Sequence, residues 1–461
     1  MTAPLTTPTH TTAPGATSAA GNMDELRAVA ELALKIAAQK GASSAEAGVN
    51  ASAGLSVSAR MGDVETIEHT RDKALGVTVY FGHKKASAST SDFGAAAVEQ
   101  TVEAACSIAR YTAEDDCAGL ADPELMAESP PDLDLCHPWS LRPERAIELA
   151  LETEDAARSF DARITNSEGA SVSQHEGMHV YGNTHGFLQG VRGTRHGISC
   201  SVIASDEDGM QRDYWYTSSR RAEDLEAAAD VGRKSAERAL ARIGSRKLST
   251  RQAPVLYVAE MAPTLVRHFI GAISGGNLYR RSSFLLDKLG ERIFPETIRI
   301  HEQPHLKRAP GSAAFDGEGV TTRARDIVNA GRLEGYVLSS YSARKLQTQT
   351  TGNAGGVHNL TVESTPDALD YPALLAHMDT GLVVAEMMGM GVNITTGDYS
   401  RGAAGFWVEN GEVQFPVHEI TIAGNLADML GHMSQVGTDV DERGNIRIGS
   451  ILVDNMTIAG E

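Results

Sequence analysis

One stretch of the sequence decides the fold: Gly397-Asp398-Tyr399-Ser400-Arg401-Gly402-Ala403-Ala404-Gly405-Phe406-Trp407-Val408-Glu409-Asn410-Gly411. It combines closely spaced glycines with a run of aromatic and β-branched residues, which predicts a loop leading into a strand. Asn410-Gly411 is typical of a tight hairpin turn, so a second strand should follow. Glycines at this density favour close approach of another backbone or of a ligand, and tight packing of a sheet is the simpler explanation.

The rest of the chain predicts an α+β fold with two domains. We expect an N-terminal mixed α/β domain over residues 23–250 and a C-terminal β-rich domain over 251–461, with a curved or barrel-like sheet. Residues 1–22 are rich in Thr, Ala, Pro and Ser and predict a disordered tail. Apolar periodicity of about 3.6 residues and helix-stop residues predict helices at 24–39, 95–109, 143–159, 222–243 and 263–273, and Gly275-Gly276 should end the last of them. Strands are predicted at 55–60, 64–68, 74–81, within 162–217, and over much of the chain after 273.

Composition narrows the classes of partner. The 461 residues carry 60 acidic against 41 basic side chains, a net charge of −19, without a basic patch. Such a chain repels nucleic-acid phosphate and anionic membrane, and no apolar run reaches the roughly 20 residues that span a bilayer. None of the four cysteines forms a CxxC pair, which indicates reduced thiols. We therefore expect a cytoplasmic protein with no nucleic-acid and no membrane partner.

The zinc-protease string His-Glu-x-x-His occurs twice in the sequence, at His175 to His179 and at His301 to His305. The string binds zinc on a helix, where residues i and i+4 lie one above the other. On a strand the same spacing separates them by about 13 Å, at ~3.3 Å per residue. The first copy is surrounded by Ser, Val, Thr and Gly and favours a strand. The second contains Pro304 and follows an alternating pattern, so we expect a strand that ends in a loop.

Several long motifs give the chain a specific resemblance to the PmbA/TldD family, once called modulators of DNA gyrase, and within it to the PmbA (TldE) branch. They occur in a consistent order and are strongest after residue 254. The motifs lie at 397–425, 339–346, 351–356, 279–286 and 315–320.

The resemblance implies a cytosolic two-subunit zinc protease. The TldD-type subunit carries a His-Glu-x-x-x-His helix and a later cysteine as third ligand, and the PmbA-type subunit shares its fold but generally lacks that site. Such complexes are associated with maturing peptide antibiotics such as microcins and with degrading unfolded or antitoxin peptides.

Carried over by position, the zinc motif of the sister subunit falls on Arg267, His268 and Ala272. Arg267 and Ala272 replace the two histidines, and His268 replaces the glutamate. The third-ligand region, 445–449, has no cysteine, and no cysteine follows Cys200. We therefore expect no catalytic residue, no metal ligand and no cofactor in this chain, with zinc held by the partner.

Three functions remain open. The first is a partner subunit that binds a TldD-type sister and extended peptides, with Gly397, Asp398, Tyr399, Ser400 and Arg401 forming a peptide-binding or interface segment. The second is an autonomous zinc metallopeptidase that uses His175/His179 or His301/His305. The third is a regulatory protein that modulates DNA gyrase. The sequence leaves open whether the chain forms homodimers when alone.

Overall fold

The computed structural model describes residues 21–207, 209–366 and 368–460. The predicted disordered tail lies outside these residues, apart from Gly21 and Asn22. The Asn22 side chain accepts a hydrogen bond from the Asp24 N–H and so caps the first helix. Within the described ranges, no helix is long and apolar enough to cross a membrane. The four cysteines are free thiols.

The first half of the chain builds one antiparallel sheet with helices on a single face. Its strands are β1 (Ser44–Arg60), β2 (Asp63–Phe81), β3 (Lys84–Thr90), β4 (Ile164–Asn183), β5 (Leu188–Asp206) and β6 (Gly209–Ser219). The helices are α1 (Met23–Gln39), α2 (Ala95–Ala109), α3 (Pro143–Arg158) and α4 (Ala228–Ala241). The strand order is β3-β2-β1-β4-β5-β6.

The long central strand β1 organises two apolar clusters. Alternate residues along it are buried, as expected for a strand with one covered face. Its first half packs with α1 and α2, and its second half packs with α3 and α4. The strand therefore supports two helix pairs in succession on one face of the sheet.

The second half of the chain is richer in strands. They are β7 (Arg251–Tyr257), β8 (Ile298–Glu302), β9 (Arg325–Asn329), β10 (Arg332–Leu333), β11 (Leu360–Ser364), β12 (Gly381–Val392), β13 (Asp398–Glu409), β14 (Glu412–Asn425), β15 (Met433–Val436), β16 (Ile446–Ile448) and β17 (Ile451–Ala459). The helices are α5 (Ala262–Ala272), α6 (Gly275–Tyr279), α7 (Ser340–Lys345), α8 (Tyr371–Met378) and α9 (Leu426–Gly431).

Two sheets form in this half. One has the order β14-β13-β12-β7-β17-β15, and an additional pairing of β14 with β17 closes five of its strands into a barrel. The other has the order β10-β9-β8-β11-β16. Side chains from both sheets and from α5 share one apolar cluster, so α5 is fixed by the barrel and by the second sheet. The predicted α+β class with a barrel-like C-terminal sheet is confirmed.

The opening stretch forms the β13–β14 hairpin of the barrel. Asn410 and Gly411 have φ of +54° and +75°, the left-handed pair that a tight hairpin turn of this type requires. The predicted loop at the start of the stretch is wrong, because the strand begins at Asp398. Gly405 explains part of the glycine density, since a Cβ there would lie 1.8 Å from the Val383 carbonyl oxygen on β12.

Three other local predictions are wrong. The strands predicted at 64–68 and 74–81 are one strand, β2, because their polar connection continues to pair with β1. The helix predicted from 222 begins at Ala228, because the Glu226 N–H and carboxylate bind Thr217 and Trp215 of β6 and hold this segment extended. The glycine predicted to end α5 instead begins α6, where a Cβ on Gly275 would lie 2.3 Å from the Ser342 Oγ.

Candidate functional site

The helix α5 forms because its apolar residues recur on one face. Pro263 occupies the first turn, where a missing N–H costs no helical hydrogen bond. Leu265, Val266 and Phe269 are buried, and the Phe269 ring packs edge-on against Phe294 with centroids 5.1 Å apart. This face fixes the helix in the core and so determines where the three zinc-motif positions lie.

Those three positions have different environments. Arg267 is exposed and makes no ion pair within the described residues. His268 is half-buried, and Ala272 is fully buried. The Ala272 carbonyl accepts a hydrogen bond of 2.6 Å from the Ser283 Oγ, which fixes the end of the helix against the following loop.

The structure brings His268 together with the segment 397–401. The His268 and Tyr399 rings meet edge to face, with centroids 6.0 Å apart. Tyr399 and Arg401 are two residues apart on β13 and share one face of the strand. The pKa of His268 is lowered, first by burial and then by the nearby Arg401 guanidinium.

Two buried nitrogens at this point lack hydrogen-bond partners among the described residues. Neither the Nε2 of His268 nor the Nε of Arg401 has a hydrogen-bond partner within the described ranges. Burial without a partner costs about 1–3 kcal/mol for a neutral group and more for a charged one. We call His268, Tyr399 and Arg401 the α5–β13 cluster. It is a cationic, donor-rich site.

The remaining residues of the segment have structural roles. Gly397 has a φ of +83°, and a Cβ there would lie 2.8 Å from the Asn425 Oδ1. The Asp398 carboxylate accepts a 2.6 Å hydrogen bond from the Thr396 hydroxyl. Ser400 is exposed, on the strand face opposite Tyr399. Tyr399 itself is buried, and its hydroxyl lies 3.3 Å from the Met387 sulfur.

The first His-Glu-x-x-His string lies on a strand, as predicted. His175 and His179 belong to β4, where their neighbours are β1 and β5. The Nδ1 of His179 is 2.8 Å from the Asn50 Oδ1, and Glu176 pairs with Arg192 at 2.7 Å. The glutamate and one of the two histidines are therefore already engaged by neighbouring strands.

The second string also matches the prediction of a strand running into a loop. His301 and Glu302 end β8, and His305 follows it. The His301 Nδ1 lies 2.6 Å from the Asp326 Oδ1, and the His305 Nε2 lies 3.0 Å from the Thr322 hydroxyl. Each histidine thus has a polar partner of its own.

Glu302 is a buried structural carboxylate. Only 1% of its surface is exposed, and it pairs with Arg325 at 2.9 Å. It also accepts hydrogen bonds from the Asn353 side chain and the His358 N–H. A general base would need access to a metal-bound water, which this packing does not provide.

Zinc binding requires several donor side chains arranged around one point. Among residues 21–207, 209–366 and 368–460, no group of three or more His, Cys, Asp or Glu side chains is arranged to hold a metal. At α5 the matching positions offer a guanidinium, an imidazole and a methyl group. A zinc ion needs three or four nitrogen, sulfur or oxygen ligands at about 2.0–2.3 Å. The residues present on α5 do not fit it.

Sequence reasoning missed two carboxylates whose pKa is raised by burial, one in each half of the chain. Glu46 of β1 accepts hydrogen bonds from the Tyr80 and Tyr181 hydroxyls, and burial raises its pKa. Asp316 accepts backbone hydrogen bonds from 318, 320 and 354, and burial raises its pKa to about 6. The Asp-Gly-Glu-Gly spacing at 316–319 was the available signal for Asp316, whereas Glu46 lies in an unremarkable strand.

Comparisons with known proteins identify the class. Models of the PmbA/TldA metallopeptidase family match its domain 1 at residues 45–109, its central domain at 136–243 and its C-terminal domain at 250–460. A solved structure described as a putative modulator of DNA gyrase from Bacteroides thetaiotaomicron superposes with a TM-score of 0.90 at 28% identity, covering 95% of this chain and all of that one. The chain belongs to the PmbA/TldD metallopeptidase family.

Within the family, two relatives named PmbA are more similar to this chain than a relative named TldD. The metalloprotease PmbA of Escherichia coli O157:H7 is 51% identical, over 93% of this chain and 95% of its own length. The metalloprotease PmbA homolog of Haemophilus influenzae is 50% identical, over 95% and 96%. A metalloprotease TldD homolog of the same species is 23% identical over 79% of each chain. The chain therefore resembles the PmbA branch, as the motifs predicted.

Proposed function

We propose that this chain is the PmbA-type (TldE-type) subunit of a two-subunit cytoplasmic zinc peptidase that cleaves small or unfolded peptides. The TldD-type sister would hold the zinc and supply the metal-bound water and its base. This chain would bind the sister and help to position the peptide.

The proposal rests on one observation, the composition of α5. The helix α5 is well packed, and the positions to which the resemblance assigns the sister subunit's zinc motif hold Arg267, His268 and Ala272. The cations Arg267 and Arg401 would repel a metal ion. These residues at those positions favour a partner subunit over an autonomous peptidase.

The α5–β13 cluster suggests where an external group would bind. The unpartnered Arg401 Nε–H, and the His268 Nε2 in the tautomer that carries its proton there, would be satisfied by an acceptor from outside the chain. A carboxylate or a backbone carbonyl, from the peptide or from the sister subunit, has the required chemistry. The cluster would therefore lie at a contact that forms only in the complex.

An extended peptide could also bind along a free strand edge. Residues 63–74 of β2 pair with β1 on one side, and β3 pairs only with the later part of β2, from Leu75. This part of β2 is exposed along its whole length. An unpaired edge can accept a further strand through backbone hydrogen bonds. The charges of Glu65, Glu68, Arg71 and Asp72 would limit unspecific pairing there.

The test is a reconstitution with purified subunits. We expect a TldD-type sister to cleave an unstructured peptide faster when this chain is added, with chelator abolishing cleavage and zinc recovered from the sister. Arg401→Gln should lower the rate of the mixture about tenfold, the effect of losing one charged hydrogen bond. Lys35→Gln, an exposed cation on α1, is the matched control and should leave the rate unchanged. Full activity of the sister alone, unchanged on mixing, would contradict the partner role.

A further inference from the structure

A large cleft lies where the first sheet meets the second half of the chain. Its volume is about 900 Å³. Thr194 and Arg195 of β5 and the end of β6 form one wall, and the loops 306–310 and 439–443 form the other. Small-molecule and peptide sites commonly have volumes of roughly 300–1,000 Å³. The cleft is large enough for several residues of an extended peptide, and none of the sequence motifs pointed to it.

The carboxylates in this cleft are all engaged. Glu226 pairs with Lys234 at 2.6 Å, and Asp441 pairs with Arg443 at 2.9 Å through two parallel contacts. The other four have partners too: Asp224 with Arg221, Glu260 with Arg238, Glu442 with Arg447, and Asp439 with Ser450. Of these six carboxylates, five therefore have a cationic partner, whereas the partner of Asp439 is a neutral hydroxyl.

Three cations in the same cleft lack a carboxylate. Arg220 donates to the backbone carbonyls of Thr194, Ala309 and Pro310, and no ion pair links it to an acid within the described residues. Burial and then the neighbouring Arg195 lower its pKa. Arg195 binds only the Ser218 hydroxyl, and Lys307 is exposed without an ion pair in the described ranges.

This arrangement is a preformed positive site. Arg220 is held in position by backbone carbonyls from both walls, so it needs no carboxylate of its own to stay ordered. Two like-charged arginines close together are unfavourable unless an anion lies between or beside them. The chain as a whole has a net charge of −19, so these unpaired cations make the cleft a place where anions are attracted.

We propose that the cleft binds peptides through their carboxylate groups, with Arg195, Arg220 and Lys307 as the binding cations. Guanidinium forks match the planar carboxylate and bind it through two parallel hydrogen bonds. A nucleotide fits less well, because the Trp215 ring in the wall is already covered by the Arg443 guanidinium, 4.2 Å from its centroid. A nucleic acid would also meet the repulsion of the whole acidic chain.

The experiment measures peptide binding by this chain alone, so it does not depend on a sister subunit or on cleavage. The probe is a fluorescently labelled hexapeptide of alternating Ala and Glu with a free C-terminus. Replacing Glu by Gln, amidating the C-terminus, or doing both removes the side-chain carboxylates, the terminal one, or all of them. Fluorescence anisotropy gives the dissociation constants at low and at high salt.

We expect the acidic probe to bind, the fully neutral probe to bind at least about tenfold more weakly, and salt to weaken binding. The two singly modified probes show which carboxylate is recognised, and preference for either one supports the proposal. Arg195→Gln and Lys307→Gln should each weaken binding about threefold, and together about tenfold, in line with solvent-exposed ion pairs.

Lys35→Gln provides the matched control, since it removes an exposed cation far along the chain from the cleft. It should bind the probe as the wild type does. Both cleft substitutions are at exposed positions, and thermal unfolding checks that the variants remain folded. Equal binding of the acidic and neutral probes, or tighter binding of a dinucleotide that competes with the probe, would overturn the proposal. So would undiminished binding by the double variant.

Discussion

Histidines in two regions of this molecule differ in what surrounds them. Those of the His-Glu-x-x-His strings lie on or just after the strands β4 and β8, and three of them, His179, His301 and His305, have polar partners. His268 lies on α5, where the resemblance places the sister subunit's zinc motif, and its buried Nε2 has none within the described residues. The strings match a zinc motif in letters alone. On α5 the carried-over positions hold Arg267, His268 and Ala272.

The difference shows that a metal-binding motif depends on the secondary structure that carries it as well as on its residues. Two side chains four residues apart share a metal on a helix and lie about 13 Å apart on a strand. Partnered groups indicate a structural role, and unpartnered buried donors indicate a missing partner. The predictions below test this contrast.

The largest expected effect is on stability, at the glutamate of the second string. Glu302→Ala should lower the free energy of unfolding by about 3–5 kcal/mol, because it leaves the Arg325 guanidinium buried without its partner. Denaturant unfolding monitored by circular dichroism measures the change. A Glu302→Ala chain of normal stability would show that this carboxylate is not the structural group we describe, and would reopen a catalytic role.

A smaller effect on stability should distinguish Ala272 from Arg267 on α5. Ala272→His puts a large side chain into a fully buried site and should cost about 1–3 kcal/mol. Arg267→His, at an exposed site on the same helix, should change stability by no more than about 0.5 kcal/mol. The same unfolding experiment measures both variants. Equal costs would mean that the Ala272 position can accommodate a ligand.

The smallest effect is on the titration of His268. Arg401→Gln should raise its pKa towards the ordinary value, because the nearby positive charge contributes to lowering it. The pKa of His179 is lowered by burial alone and should not change. NMR titration of the imidazole C–H signals measures both. A His268 that titrates identically in the two chains would place Arg401 too far away to act on it.

The lowered pKa of His268 also determines the direction in which stability changes with pH. Below the unfolded-state pKa of about 6.5 the unfolded chain binds more protons at this residue than the folded chain does. The contribution of His268 to stability is therefore fully present above pH 6.5 and is lost as the pH falls towards its folded-state value. Arg401→Gln should reduce this loss.

Local patterns predicted the local structure well. Helix 95–109 and the turn at Asn410-Gly411 followed from apolar periodicity and turn chemistry, which depend on neighbours in sequence. The strand assignment of both His-Glu-x-x-His strings followed from glycine, proline and alternation. The motifs predicted the family, and the strand-rich pattern predicted the barrel-like second half.

What the sequence could not predict depends on distant contacts. The segment before Ala228 is held extended by Thr217 and Trp215, and a periodic pattern cannot show that. The meeting of His268 with Tyr399 joins residues more than 130 positions apart, at a spacing set by the barrel. The unpaired cations of the cleft come from strands and loops that only the folded chain brings together.

The central claim is that this chain has lost the metal and serves a subunit that has kept it. The most direct measurement is the zinc content and peptide-cleaving activity of the purified chain, alone and mixed with a TldD-type sister. The account predicts no stoichiometric zinc and no cleavage for the chain alone, and chelator-sensitive cleavage for the mixture. About one zinc per chain, with cleavage in the absence of a sister, would contradict it.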